Sequence, residues 1–222
     1  MIHARTGNAV HSTHGFAHPK RNILALGIDH AMKVADFGAG SGAYALAMAE
    51  HLEGSGIVYA LDIQKDLLRR LHNEAKARNL KNVEILWADL EVPGGSKLSD
   101  GLLDLVLVSN LLFQLEDKAA VLAEAKRIVK NGGRVAIIDW SESFGGMGPH
   151  PESVVTREAA YAFAQDAGLT FQKEFAAGAH HYGLVFRNGI PRGGGQAVQS
   201  HQETHHHDSP HDSKPHRVTI RS

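Results

Sequence analysis

Val34-Ala-Asp-Phe-Gly-Ala-Gly-Ser-Gly-Ala-Tyr44 is the stretch that decides how this chain folds. A short apolar strand carries Asp36 near its end, breaks into Gly38, Gly40 and Gly42, and passes into the helical pattern Ala-Tyr-Ala-Leu-Ala-Met-Ala-Glu50. Glycines at a strand-to-helix turn admit φ > 0 and let a ligand approach where a Cβ would stand in the way. The turn therefore reads as the seat of a nucleotide-like cofactor.

Outward from this turn the chain alternates strand and helix patterns. Strands are expected over 33–37, 57–62, 83–87, 103–109 and 134–140, with helices over 43–52, 65–78 and 118–129. A short helix opened by Pro19 and closed by Gly27 precedes them. Asn131-Gly-Gly133 reads as a helix stop before the fifth strand. Strands apolar on both sides, separated by helices, argue a parallel sheet covered on both faces. After the fifth strand come a glycine-rich loop over 141–151, a helix near 152–167, and two strands over 169–175 and 181–186 that suit an antiparallel hairpin. The expected fold is α/β: a Rossmann-like, doubly wound, mostly parallel seven-stranded sheet with a C-terminal antiparallel hairpin. Residues 1–18 read as a flexible arm and 19–187 as the folded domain. From 188 to 222 the composition turns to Gln, Ser, Thr and Pro and holds six of the sixteen histidines, the signature of a disordered His-rich tail. Its mixed composition, with Asp208, Ser209 and Pro210 interrupting the histidines, argues against a metal site.

Bulk properties narrow the function. The net charge is −1, from 23 basic and 24 acidic residues, which leaves no electrostatic footprint for nucleic acid. No apolar run is long enough for a membrane span, and Met1–Asn8 lacks the apolar core of a signal peptide, so a cytoplasmic protein is expected. The chain has no cysteine, which removes disulfides, cysteine–zinc sites, iron–sulfur clusters and thiolate nucleophiles.

Glycine spacing alone does not name the cofactor, because Ala43 is a tolerated variant at the third position of the dinucleotide fingerprint. The acids discriminate. Asp36 precedes the glycines by two residues, where a carboxylate holds the ammonium of an amino-acid moiety and repels a pyrophosphate. Asp62 ends the second strand about twenty residues later, the position that bonds ribose hydroxyls. This position fits NAD equally well, and Asp62 taken alone also reads as a cap for the helix beginning at Lys65. Asp89, ending the third strand, is placed for the exocyclic amine of adenine, with Leu90 and Trp87 beside the ring unless Trp87 is core. Ser109-Asn-Leu-Leu-Phe-Gln114 follows the fourth strand, where the reacting end of the cofactor would lie. Together these features favour S-adenosylmethionine.

Val34–Gly42, Asp62, Ala88-Asp89, Leu103–Gln114 and Gly132–Trp140, in this order, resemble the class I S-adenosylmethionine-dependent methyltransferases. Within them the chain is most similar to the type-11 group that includes the ubiquinone/menaquinone C-methyltransferases. The resemblance spans roughly residues 19–187. It implies that Asp36, Gly38, Ala39, Gly40, Gly42, Asp62, Ile63, Ala88, Asp89, Leu90 and Asn110 hold S-adenosylmethionine. Without cysteine, radical chemistry, cytosine C5 methylation and thiol-dependent arsenic methylation are disfavoured.

Methyl transfer from a sulfonium needs an acceptor held in line and water excluded, and a base only where the acceptor loses a proton early. Catalytic residues are accordingly faint. After the fourth strand the chain reads Ser109-Asn110-Leu111-Leu112 rather than the Asn/Asp-Pro-Pro-aromatic motif of amino-nitrogen methylation. Asp139-Trp140 stands where magnesium-dependent enzymes have Asp-Asn. A metal-free reaction on a small-molecule acceptor is expected. The loop Asp139–His150 and the turn Gly178–Tyr182 are expected to line its pocket, with His180, His181, Tyr182 and Asn110 as the candidate catalytic groups and His150 as a further base. Tyr44 either touches the methionine end or packs on the N-terminal helix, and Arg21 and Asn22 approach the site if that helix forms a lid. Methylation of RNA or protein, a non-catalytic S-adenosylmethionine-binding role and an NAD-dependent oxidoreductase are the competing readings. The last leaves Asp36 and Asp89 unexplained and lacks a tyrosine–lysine pair. The oligomeric state is not encoded in any of these features.

Overall fold

The strand β1 (Lys33–Phe37) is buried over its last four residues, as a strand covered on both faces must be. In the computed structural model, which describes residues 17–146 and 148–189, it is an interior strand of a seven-stranded sheet. The chain divides into Met1–Pro191 and Arg192–Ser222, and every described residue belongs to the first of these. Of the expected arm over 1–18 and tail over 188–222, residues 1–16 and 190–222 lie outside the described residues.

The other strands are β2 (Ile57–Asp62), β3 (Val83–Trp87), β4 (Leu103–Ser109), β5 (Val129–Trp140), β6 (Leu169–Gly178) and β7 (His181–Asn188), in the order β3-β2-β1-β4-β5-β7-β6. Strands β1 to β5 pair in parallel, and β7 runs antiparallel to both β5 and β6. The expected doubly wound sheet with its antiparallel hairpin is what forms. The strand order reverses between β1 and β4, and open α/β sheets bind ligands beyond the carboxyl ends of their strands at such a switch.

Period-two alternation sends side chains to two cores. On one face Val34, Ala60, Leu107, Ile138 and Val185 meet helices α1 (Pro19–Leu26), α2 (Ala43–His51) and α3 (Lys65–Ala77). On the other, Ala35, Val106, Ile137 and Phe186 meet α4 (Lys118–Ile128) and α5 (Arg157–Asp166). Tyr44 to Ala49 of α2 are all buried, and its alanines let α1 pack closely over it. The carboxyl end of α1 is held by Arg134, which donates to the Leu26 and Gly27 carbonyls, and by Lys173, which donates to Ala25 O at 2.7 Å. Cations there complement the helix dipole.

Strands β6 and β7 run past the expected 175 and 186 to Gly178 and Asn188, and two larger departures have a clear cause. Strand β5 begins at Val129, and Asn131-Gly-Gly133 lies inside it as an irregularity: Leu103 pairs with Val129 but Leu105 with Arg134. The end of α4 is set by Asn188, whose amide donates to Val129 O at 2.9 Å and Lys126 O at 3.2 Å. The helix expected near 152–167 is a 3-10 turn, Pro151–Ser153, followed by α5, because the Thr156 hydroxyl accepts from Ala159 N at 3.2 Å and caps the helix there.

Behind the site, the buried Glu124 of α4 accepts from Arg127 Nε at 2.9 Å, Ser96 N at 3.1 Å and Gly94 N at 3.2 Å, pinning the loop after β3. Burial pushes this carboxyl up, but the hydrogen bonds from Arg127 and Ser96 outweigh it and hold the group at about 2, below the ordinary 4.5. A depressed folded-state value means stability that is complete above pH 4.5 and lost as the pH falls towards 2. Glu124→Gln should lower the melting temperature at neutral pH, and the gap to the unmodified protein should close across that window. Calorimetry as a function of pH checks this; a gap independent of pH would contradict it.

Candidate cofactor cleft and the acceptor face

The glycine turn is built by backbone hydrogen bonds before any ligand is considered. Gly38 N and Ala39 N both donate to Leu61 O at 2.9 Å, and Gly40 N donates to Asp62 Oδ2 at 2.8 Å. The other Asp62 oxygen accepts from Gln64 N at 2.8 Å. Asp62 thus ties the turn to the start of α3 while its remaining lone pairs stay available, since each carboxylate oxygen can accept twice.

Gly38, Gly40 and Gly42 have φ of 70°, 55° and 95°. A Cβ on Gly38 would stand 2.8 Å from Leu111 Cδ1, and one on Gly42 would stand 2.7 Å from Leu71 Cγ. These two glycines serve packing. Gly40 is different: its nearest neighbour would be 4.0 Å away, so its open side is the cleft that it lines.

That cleft has a volume of about 340 Å³, the size of a small-molecule site. Of the residues picked from sequence, Gly38, Gly40, Asp62, Ile63, Ala88, Asp89 and Leu90 line it. Ala39 and Gly42 shape the turn without lining it. Gln64, Leu67, Glu91, Leu111, Gln114 and Leu115 also line it and were not singled out. Leu111 and Gln114 lie in the quoted segment after β4, where Gln114 Nε2 donates to Asn110 O at 2.7 Å. The position of Asp89 depends on Gly95, whose Cβ would stand 1.7 Å from Asp89 O. The sequence signal is Pro93-Gly94-Gly95, which begins four residues after the acid. Trp87 is neither core nor cleft wall. It is 43% exposed at the β3 edge, donates to Ile63 O at 2.8 Å, and has Lys97 Nζ and Lys65 Nζ at 4.9 and 5.3 Å from its ring.

Asp36 lies behind the turn, on the same sheet face as Val34, and is 1% exposed. Its Oδ1 has no hydrogen-bond partner. Burial pushes the carboxyl up from 3.8 to about 7, opposed by the Ala45 N–H and reinforced by the charge of Asp62. Beside it, Tyr44 OH accepts from Asn22 Nδ2 at 2.8 Å, and the same amide donates to Ala177 O at 2.9 Å. Ala177 is the extra residue of a bulge in β6, which leaves its carbonyl outside the ladder. Tyr44 therefore packs on the N-terminal helix. Asn22 turns inward from that helix, while Arg21 stays exposed.

Asn110 follows β4 with φ of 50°, donates from its N–H to Ile138 O at 2.8 Å, and leaves Oδ1 buried without a partner. Asp139 points to the opposite face from Trp140 and accepts from Leu112 N at 3.0 Å and Trp140 N at 2.8 Å. Burial raises its carboxyl to about 6 against these N–H groups and that of Leu111. Its oxygens hold the segment after β4 in place.

Alternation divides the terminal turn as well. Tyr182 faces the α5 side, where its hydroxyl donates to Val155 O at 3.0 Å, so the structure does not bring it to the site. His181 faces the α1–α2 side, 5% exposed, with its ring 4.2 Å from that of Trp140 and neither nitrogen partnered. His180 pairs with Glu142 at 2.8 Å and stacks on Phe144 at 3.9 Å, closing the loop after β5 over the turn. Among the described residues no three His, Asp or Glu side chains converge as a metal site.

Two contrasts follow from this geometry. Gly38→Ala should cost stability, about 2 kcal/mol, because its methyl meets Leu111 and its φ is positive. Gly40→Ala should cost about 1 kcal/mol of backbone strain but lose more in affinity for S-adenosylhomocysteine, measured by calorimetric titration beside thermal melts. For Asp36 the folded value lies above the unfolded one, so its ionisation opposes folding. That penalty is absent below pH 3.8, grows with pH and is complete above about 7. Asp36→Asn should therefore raise the melting temperature most above pH 7 while weakening S-adenosylhomocysteine binding. A variant less stable at every pH would overturn the assignment of a buried, unpartnered carboxylate.

Comparison with known proteins places this geometry. Residues 28–189 match the family described as the methyltransferase domain. A SAM-dependent methyltransferase from Aquifex aeolicus superposes with a TM-score of 0.70 at 26% identity, over 78% of this chain and 90% of that one. Aklanonic acid methyltransferase DauC of Streptomyces sp. (strain C5) is 34% identical over 47% of this chain and 46% of its own length. A demethylmenaquinone methyltransferase of Geobacillus sp. (strain WCH70) is 30% identical over 53% and 49%. The chain spans about half the length of these curated relatives. The match over most of the folded region, with the sheet order to go with it, makes the chain a member of the methyltransferase-domain family, with the Rossmann-like fold of the S-adenosylmethionine-dependent enzymes.

Proposed function

We propose that this chain methylates a small-molecule acceptor with S-adenosylmethionine as methyl donor, by metal-independent in-line transfer. The observation that carries the reading is the unpartnered Oδ1 of Asp36 behind an open glycine turn. A buried acceptor atom of this kind calls for a donor, and an ammonium is the donor that also relieves the buried charge. A pyrophosphate would aggravate it, which counts against a dinucleotide. The residues present fit the group. Asp36 would hold the ammonium, the Gly38–Gly42 turn would admit the amino-acid end, and Asp62 would accept from the ribose hydroxyls. Asp89 would accept from the adenine amine between the apolar walls Ile63, Ala88 and Leu90.

The chemistry supplied by S-adenosylmethionine, when bound, is a methyl group already activated on a sulfonium. The protein's own work is then to orient an acceptor and keep water away. Asn110, His180 and His181 stand at the ends of β4 and β7 for that purpose. A small molecule fits the balanced charge of the chain and the names of its relatives, which are methyltransferases of aklanonic acid and demethylmenaquinone. Metal independence is supported by Asp139, whose carboxyl is engaged by backbone N–H groups. We place the protein in the cytoplasm; no helix among the described residues is long and apolar enough to cross a membrane.

Titration with S-adenosylhomocysteine tests the cofactor. Binding is expected, and Asp62→Ala should weaken it by about tenfold or more, the worth of hydrogen bonds to a charged group. Absence of binding at millimolar ligand would overturn the reading. Release of S-adenosylhomocysteine on incubation with a metabolite pool would establish turnover. Tight binding with no release from any pool would favour a sensor.

A further inference from the structure

His181 is the least explained side chain among the described residues. It is 5% exposed, and both ring nitrogens are buried without partners, a cost a fold retains only for a reason. It opens β7 opposite Trp140, and alternation along β7 and β5 turns both rings to the face that also carries Asp36. The hydrogen-bonded path Tyr44–Asn22–Ala177 crosses from α2 to β6 on that face, and Ala177 lies between two residues, Ala176 and Gly178, that pair with Tyr182 and His181. His181 therefore stands where the carboxyl end of β5 meets β7, on the Asp36 face of the sheet and three strands from β1, on the side of the switch away from β2 and β3.

The groups around it set its charge. Burial, with the neighbouring His180 adding to it, holds the imidazole at about 4, below the ordinary 6.5. Across from it on β5 is Trp140, which is uncharged. Tyr44 of α2 and Asn22 of α1 are neutral and bonded to each other, and Asp139 and Tyr182 point to the other face. The nearby acid on the β5 loop, Glu142, is bound to His180. On β1, Asp36 is assigned to the cofactor. Among the described residues no lysine or arginine enters this set.

We propose that His181 binds the methyl acceptor directly, as a neutral imidazole that receives an uncharged hydroxyl and rejects carboxylate and phosphate groups. A hydroxyl both donates and accepts, so it satisfies either ring nitrogen whichever carries the proton. An anion would meet only the N–H, in a desolvated site where no lysine or arginine of the described residues acts on the ring. A neutral ring is also a weak base at physiological pH, so His181 orients the hydroxyl rather than removing its proton. This inference rests on the proposed methyltransfer site.

The test uses the full chain saturated with S-adenosylhomocysteine, with phenol, benzoate and benzylamine as probes of matched size and different charge. The imidazole Cε1–H resonance of His181, identified by its absence in His181→Gln, is followed by NMR. Phenol should shift it saturably, and benzoate and benzylamine should not. His181→Gln keeps an uncharged donor and acceptor and should retain phenol binding, measured by saturation-transfer difference on the phenol signals. His181→Phe should lose that binding, yet keep its affinity for S-adenosylhomocysteine, a readout that also reports whether it folds. Equal or tighter binding of benzoate, a His181 ring that protonates near neutral pH, or phenol binding undiminished in His181→Phe would each overturn the proposal. If S-adenosylhomocysteine itself fails to bind, the proposed function falls. If it binds while phenol leaves His181 unmoved, only the present inference falls.

Discussion

The bond from Gly40 N to Asp62 Oδ2, at 2.8 Å, is the interaction on which the rest of the site depends. It closes the glycine turn against the end of the neighbouring parallel strand, with Gly38 N and Ala39 N on Leu61 O doing the same one residue earlier. Because β1 and β2 pair in register, Phe37 beside Leu61, the turn and the acid arrive together. Gly38 lets Leu111 lie against the turn from the β4 side, so residues from three strand ends meet there with no side chain between them. A ligand finds a cleft already formed. The energetic consequence is preorganisation: few groups need to be ordered when it binds.

Strand alternation then decides which polar groups can act. Asp139 and Tyr182 are opposite one another on β5 and β7, and both look towards α4 and α5, where they bond backbone groups and support the loops. One residue further, Trp140 and His181 are also paired and look the other way. Two adjacent pairs thus divide between the α4–α5 face and the α1–α2 face of the sheet. The division follows from pleat geometry alone.

Much of this was legible in the sequence because it is written in local chemistry. The glycine turn, the strand-end acids Asp62 and Asp89, and the seven-strand plan each rest on a short pattern with one physical reading. What escaped was set at long range. The end of α4 is fixed by Asn188, some sixty residues away in the chain, so the nearer Asn131-Gly-Gly133 reads as a stop although the chain continues through it as strand. Trp87 looks like an adenine neighbour or a core residue, but β3 is the sheet edge and its ring ends between two lysines in solvent. The orphaned atoms of Asp36 and His181 have no sequence signal. Their meaning comes from what the fold fails to put beside them.

These orphans also explain why α1 is fastened so firmly. The helix has eight residues, too few to be stable alone, and it covers the face on which Asp36 and His181 lie unpartnered. Arg134 and Lys173 hold its carboxyl end from β5 and β6, and Asn22 binds its middle to α2 and to the bulge in β6. The anchors lie on β5, β6 and α2, so the roof is fixed only when the sheet is complete out to β6. Without it both polar groups would be hydrated and the acidic and imidazole side chains would regain ordinary protonation behaviour. The neutral, water-poor face that the proposed chemistry requires is therefore a property of the closed fold and not of the residues by themselves.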